Sequence, residues 1–421
     1  MTGRTWKRFL TVSLTGWLVF TAPLTLGEDG YDLWLRYPPL KPAPPASSVS
    51  AIVEPADSSE TLQAALGELR RGLGGLLGAE PATVSKPAAN AIVLATPKHR
   101  PGLAEMKLPL EELGEDGYLV RHARLNDVPV TLVAGNTDRG LLYGAFALLR
   151  HLQTGGRLET IDLSSAPRVR LRLLNHWDNL DRYVERGYAG QSLWDWWRLP
   201  DVVDPRYTDY ARANASIGIN GTVLNNVNAA AEALTPRYIE KAAALADVFR
   251  PWGIRVYLSA RFSAPVDVGG LETADPLDPA VRNWWRDTAA GIYARIPDFG
   301  GFLVKANSEG QPGPQNYGRS HADGANMLAA ALAPHGGAVM WRAFVYSDTD
   351  PEDRVRQAYS EFKPLDGEFA DNVLVQVKNG PLDFQPREPF HPLFGAMPQT
   401  PLLMEFQITQ EYLGFSTHLV Y

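Results

Sequence analysis

The 421-residue chain has no cysteine, which excludes disulfides, thiol nucleophiles and thiolate metal sites. Cysteine usage therefore says nothing about redox compartment, and an exported protein of this composition needs no oxidative folding. Histidine is scarce, with 8 residues and no H-E-x-x-H or paired-histidine spacing. The expectation is that neither a metal nor any other cofactor is bound. An excess of basic residues is also missing: the net charge is −7, which makes nucleic acid a poor partner. What is present is ordinary for a globular protein, with 45% hydrophobic and 21% charged residues, and large-scale disorder is excluded. Aromatic residues are generous, at 11 Trp, 16 Tyr and 15 Phe. Their faces are what sugar rings stack on, although they fill cores equally well.

Arg4, Lys7 and Arg8 precede the apolar run Phe9 to Phe20, and small residues lead into Glu28. This order predicts a signal peptide over 1–27, with export to the periplasm or outside the cell. The run is short and interrupted by Thr and Ser, so a membrane anchor is the weaker reading. After removal of the signal no membrane association is expected. Pro38 to Pro45 reads as extended. Helical spacing over Ser58 to Leu77, with Asp57 or Ser58 as cap, alternates with strand patterns at Ala91 to Ala95, Tyr118 to Val120 and Val128 to Gly135. Asp138 to Leu149 reads as an amphipathic helix. Together they predict a small N-terminal α/β domain over 28–165, with no chemistry of its own.

From about residue 166 strands and helices alternate. Strands are expected at 169–175, 221–226, 254–260, 301–305, 338–345, 373–378 and 402–408. Helical patterns lie between them at Tyr238 to Phe249, Pro279 to Tyr293 and Ala325 to Ala333. Repeated β-then-α order is the signature of a parallel sheet with crossover helices, most simply a (β/α)8 TIM barrel over 166–421. Seven strands are one fewer than closure needs. Either one strand is misread or the chain ends inside its barrel, before the last strand.

A barrel presents function at the C-terminal ends of its strands, and polar clusters gather there. They are Asn175-His-Trp-Asp178, Leu224-Asn-Asn-Val-Asn228, Ser259-Ala-Arg-Phe262, Lys305-Ala-Asn-Ser-Glu309, Trp341-Arg342, Lys378 to Asp383, and Met404 to Glu411. Lys305, Arg342 and Lys378 converge from three strands. Such cations repel unless an anion joins them, so a carboxylate or phosphate ligand is expected, though the site's own Glu and Asp could also pair with them. No Gly-rich phosphate fingerprint is present. Glu309, Asp383, Glu405 and Glu411 supply the carboxylates that glycoside hydrolysis needs, one protonated and one ionised. Each could instead be a salt-bridge partner.

The stretches Asn175-His-Trp-Asp-Asn179, Gly190-Gln-Ser-Leu-Trp194, Gly218 to Val227, Lys305 to Pro314, Lys378 to Pro389, Leu393-Phe-Gly-Ala-Met397 and Glu405 to Tyr412 closely resemble the family 67 glycoside hydrolases, the xylan α-glucuronidases. The resemblance implies hydrolysis, with inversion, of the α-1,2 link between (4-O-methyl-)glucuronic acid and the terminal xylose of xylo-oligosaccharides. By motif it makes Glu309 the general acid and Asp383 and Glu411 the carboxylates that activate water, Glu411 being preferred over Glu405. It assigns Lys305, Arg342 and Lys378 to the uronate carboxylate, Trp177 to stacking under the sugar, and Val227 to an apolar contact beside its 4-position. Trp177 also reads as a core aromatic. A general acid must hold its proton until the bond breaks, and Lys305 opposes that unless a substrate carboxylate neutralises it. The resemblance implies a further C-terminal helical domain in family members, and none is expected within these 421 residues. The rival readings are a carbohydrate-binding protein and another barrel glycosidase, such as a hexosaminidase.

Overall fold

Two kinds of apolar pattern divide the chain, and two sheets result. The computed structural model describes residues 29–42, 48–55, 57–187, 190–344, 353–382 and 389–407. The expected signal peptide, Asp383 and Glu411 lie outside the described residues. The first sheet contains β1 (Ala51–Val53), β2 (Ala82–Val84), β3 (Ala91–Ala95), β4 (Tyr118–Leu125), β5 (Val128–Gly135) and β6 (Asp162–Ser165). Its order is β2-β1-β3-β5-β4-β6, parallel through β5 and antiparallel from there. The β4–β5 hairpin turns on Asn126 and Asp127, whose φ values of 47° and 64° are what a two-residue turn of right-handed twist requires.

Helices α1 (Glu60–Leu77) and α2 (Asp138–Gln153) pack on this sheet. They approach closely because Gly72 has no side chain: a Cβ there would meet Leu149 Cδ2 at 2.6 Å. The cap of α1 is neither Asp57 nor Ser58 but Ser59, whose hydroxyl accepts from the Leu62 amide at 3.2 Å. Three adjacent residues have cap-competent side chains, and only the one extended at the helix start can reach that amide.

The second sheet is formed by β7 (Leu173–Asn175), β8 (Gly221–Val223), β9 (Arg255–Ser259), β10 (Gly301–Val304), β11 (Ala338–Arg342), β12 (Val373–Lys378) and β13 (Leu402–Glu405). All seven expected strands are present, several shorter than read, and all pair in parallel in chain order. Crossovers are made by α3 (Arg206–Ser216), α4 (Pro236–Phe249), α5 (Ala264–Asp267), α6 (Pro279–Arg295), α7 (His321–Leu332), α8 (Arg354–Phe362) and α9 (Leu393–Ala396). This is the expected mixed α/β fold, an incomplete TIM-like barrel behind an α/β domain. Among the described residues the outer strands β7 and β13 each have one neighbour, and no helix is long and apolar enough to cross a membrane.

The two sheets are joined by buried charge. Arg212 on α3 is bidentate to Glu68 on α1, at 2.7 and 2.8 Å, and donates to the Leu35 carbonyl at 3.0 Å. Asp116 accepts from Arg172 at 2.6 Å and from Asn220 at 3.0 Å, both on the barrel side. Burial raises the Asp116 carboxyl, but its hydrogen bonds and the Arg139 charge outweigh this and hold it below the ordinary carboxylate range.

Candidate active site

Side chains along a strand alternate between faces, and this period places the candidate residues. Val223, Tyr257, Leu303 and Met340 form one apolar cluster with Val227, against which Leu173, Trp177, Leu374 and Leu403 pack. Phe302, Val304, Val339, Trp341, Val373, Val375 and Val377 belong to a different cluster, shared with the crossover helices. The first set faces the barrel interior. Counting on by twos gives Lys305 after Leu303, Arg342 and Phe344 after Met340, Gln376 and Lys378 after Leu374, and Glu405 after Leu403. The register agrees: Arg342 sits opposite Gln376, and Lys378 opposite Glu405.

The result is a charged layer capping an apolar one. Lys305 Nζ bonds Glu309 Oε2 and donates to Asn228 Oδ1 at 2.8 Å. Arg342 is bidentate to Glu405, at 2.8 and 2.6 Å, and Gln376 donates to the same carboxylate at 2.7 Å. So the pairing of cations with the site's own carboxylates holds for Lys305 and Arg342. Glu405 is Arg342's counter-ion. Burial alone would raise its carboxyl, but Arg342, Gln376 and Lys378 together bring it below the ordinary value. Burial also holds the Lys305 ammonium down; Arg342 adds to this, while Glu309 and Glu185 oppose it.

All three cations surround one ring. Lys378 Nζ lies 3.9 Å, Arg342 Cζ 4.5 Å and Lys305 Nζ 5.1 Å from the centroid of Phe344. Like charges gathered so closely repel, and the Glu309 and Glu405 carboxylates offset this at Lys305 and Arg342. Arg342 Cζ also lies 5.6 Å from the Trp177 ring. Trp177 is half-buried and packs on the inner cluster beside the buried Val227.

The loop behind β7 supplies what the sequence did not reveal. In Asn175-His-Trp-Asp178, the neighbours of Trp177 are structural: His176 bonds the Tyr210 hydroxyl at 2.8 Å, and Asp178 accepts from Ser192. Burial pushes the Asp178 carboxyl up. Further on, Glu185 accepts from Asn226 at 2.7 Å and Asn228 at 3.4 Å, while Arg186 approaches Glu309 at 3.9 Å. Glu185, Asn228, Lys305 and Glu309 thus form one chain of polar contacts. Glu309, about a third exposed, sits at φ 49° and Asn307 at φ 54°, a left-handed turn that costs energy for non-glycine residues.

His391 was also missed. It is buried, its Nδ1 accepts from the Leu393 amide at 3.1 Å, and its Nε2 has no hydrogen-bond partner among the described residues. Burial, with Lys378 adding to it, pushes its pKa down to about 4.

The structure therefore brings Trp177, Val227, Lys305, Glu309, Arg342 and Lys378 to one end of the sheet. Chemically the layer can hold an anion, and it places one part-exposed carboxylate beside it.

Comparison with known proteins points the same way. "Probable alpha-glucuronidase A" of Aspergillus terreus is 42% identical over 417 residues, covering 95% of this chain and 48% of its own. "Alpha-glucuronidase A" of Emericella nidulans is 41% identical over 431 residues, covering 97% and 50%. The chain spans about half the length of these curated relatives. Among solved structures, one titled "Structure of CpGH84D" superposes with TM-score 0.50 over 79% of this chain and 52% of its own, at 10% identity, a likeness of fold alone. The family models for the "Glycosyl hydrolase family 67 N-terminus" and the "Glycosyl hydrolase family 67 middle domain" match residues 33–148 and 151–421. The chain belongs to glycosyl hydrolase family 67.

Proposed function

We propose that this protein is an exported, inverting α-glucuronidase that releases (4-O-methyl-)glucuronic acid from the terminal xylose of xylo-oligosaccharides. The observation that carries the reading is the gathering of Lys305, Arg342 and Lys378 around Phe344, within reach of Glu309 through Lys305. Relatives named alpha-glucuronidase support release of glucuronic acid in general. A neutral sugar gives no reason for three buried cations at one seat, whereas a uronate carboxylate is an anion that they can share.

In this reading Glu309 donates its proton to the glycosidic oxygen. Asp383 and Glu411 activate a water on the opposite face, which inverts the anomeric centre. Trp177 carries the sugar ring and Val227 borders its 4-position. Lys305 couples binding to chemistry. It is held by Glu309, and a substrate carboxylate shared with Lys305 and its two partners would release Glu309 to hold a proton.

The test is hydrolysis of aldouronic acid by the 421-residue chain and by Glu309→Gln, with the first-formed anomer followed by NMR. Release of β-glucuronic acid, reduced at least about a hundredfold in the variant, is the expected result. Release of the α-anomer, or an undiminished rate in Glu309→Gln, would sink the assignment.

A further inference from the structure

Glu309 stands on a tight reversal of the chain behind β10. The Ser308 amide donates to the Gln311 carbonyl at 3.3 Å, and the Gln311 amide to the Ser308 carbonyl at 2.9 Å. Between them Glu309 and Gly310 lie at φ 49° and 75°, the pair of positive values that a type I′ turn requires. Glycine adopts such a φ freely but glutamate does not, so the turn needs holding from outside. Gln311 supplies a hold: its Oε1 accepts from Arg261 Nη1 at 3.2 Å. Arg261 is itself anchored, its Nε donating to Asp267 Oδ2 at 2.9 Å and to Ser263 Oγ at 3.1 Å. Ser263 donates to the same carboxylate oxygen at 2.5 Å. We infer that Arg261 is a positioning residue for Glu309, clamping through Gln311 the turn that carries its carboxylate. The task given to Glu309 rests on the reading above; the clamp does not.

The chemistry gives a reason for a hold on the backbone. The Glu309 carboxylate is tied to Lys305, and Arg186 approaches it at 3.9 Å. The bond to Lys305 does not fix Glu309 during the reaction, because in that reading the substrate carboxylate takes Lys305 for itself. A carboxyl that must meet the glycosidic oxygen within a few tenths of an ångström then depends on the turn beneath it. Arg261 follows β9 and Gln311 follows β10, which pair in parallel, so their contact joins two neighbouring strand ends without involving Lys305, Arg342 or Lys378. Gln311 makes it with a neutral amide, which adds no second negative charge beside Glu309.

Leaving-group dependence separates the positioning of an acid from support of the fold. A xylose leaving group needs its oxygen protonated, whereas fluoride departs as the anion and needs no acid. In the full chain, Arg261→Met, Gln311→Met, their double variant and Glu309→Gln are assayed on aldouronic acid and on α-glucuronosyl fluoride. Hydrogen exchange of the amide at position 311 is followed by NMR in the three clamp variants. Each single clamp variant is expected to lose about tenfold to a hundredfold in kcat on aldouronic acid, with KM little changed, and to stay within about threefold of wild type on the fluoride. The amide should exchange at least about tenfold faster. The double variant should fall no further than either single one, since the same contact is lost in all three. With folded protein throughout, equal losses on both substrates, an unchanged exchange rate, or no loss on aldouronic acid while Glu309→Gln is impaired would overturn the inference. Faster exchange in a chain that hydrolyses neither substrate, or in which Glu309→Gln costs nothing, would uphold the clamp and overturn the task given to Glu309 instead.

Discussion

Glu405 shows what a single buried carboxylate does for this site. It is 8% exposed, bidentate to Arg342, and accepts from Gln376. Removing its charge leaves a guanidinium buried beside two ammonium groups, so Glu405→Gln should cost about 3–5 kcal/mol at neutral pH. Its folded-state pKa is depressed overall. Its contribution is therefore fully present above the unfolded carboxyl value, about 4.3, and is lost as pH falls through the lower folded value. The stability gap between wild type and Glu405→Gln should be widest near pH 7 and narrow steadily below about pH 4. Urea midpoints of the two proteins across that range test this, because other carboxylates titrate equally in both. A gap that widened in acid would show that Glu405 is not held ionised. His391 has the same sign for a different reason: burial and Lys378 lower it to about 4. Its neutral form therefore favours the fold above pH 6.5, and that contribution fades as pH falls towards 4.

At the level of elements, the barrel strands depend on close backbone approach. Gly301 opens β10 with φ 132°, and a Cβ there would lie 1.9 Å from the Ala338 carbonyl oxygen. That overlap is with the neighbouring strand's backbone, which has no room to yield. Gly301→Ala should therefore destabilise by about 4 kcal/mol or more, and should weaken uronate binding because Lys305 and Arg342 follow on the two strands it pushes apart. Thermal unfolding and glucuronate titration of the variant check both; a Tm within a degree or two of wild type would contradict the argument. The same elements show why the sequence was readable. The five inner strands, β8 to β12, are largely buried on both faces and leave nearly continuous apolar runs, and a run ending in Lys305, Arg342 or Lys378 marks where the core gives way to the site. Phe344 was hidden by the same logic, since a phenylalanine ending an apolar run looks like core. Period-two counting from Met340 would have found it. Glu185 lay in a loop without regular periodicity, and β2 and β6 are short strands too exposed to leave an apolar run. The cap of α1 could not be chosen among three adjacent competent residues by composition alone.

At the scale of the whole molecule the question is how the N-terminal sheet and the barrel stay in one relation. The first sheet ends at Ser165 and the second begins at Leu173, and the contacts between the two units run through α3, the Arg250–Trp252 turn and the segment that leads into β7 and β8. Glu68 and Arg212, 2% and 4% exposed, form the most deeply buried ion pair across this boundary. Tyr37 donates to Glu68 at 2.6 Å, and its ring lies 5.8 Å from the guanidinium. A pair so enclosed specifies geometry more than it adds stability, because desolvation cancels much of its attraction. Breaking one side is a different matter. Glu68→Ala strands the Arg212 charge and should cost about 3–5 kcal/mol, whereas Glu68→Met combined with Arg212→Leu should recover most of that loss. Because the pair spans the two units, its loss should also split a single unfolding transition into two, the α/β domain separating from the barrel first. Calorimetry of wild type, single and double variants reads both effects. A single variant that keeps one transition and loses less than about 1 kcal/mol would mean that the apolar contacts of α1, α2 and α3 alone hold the two units together.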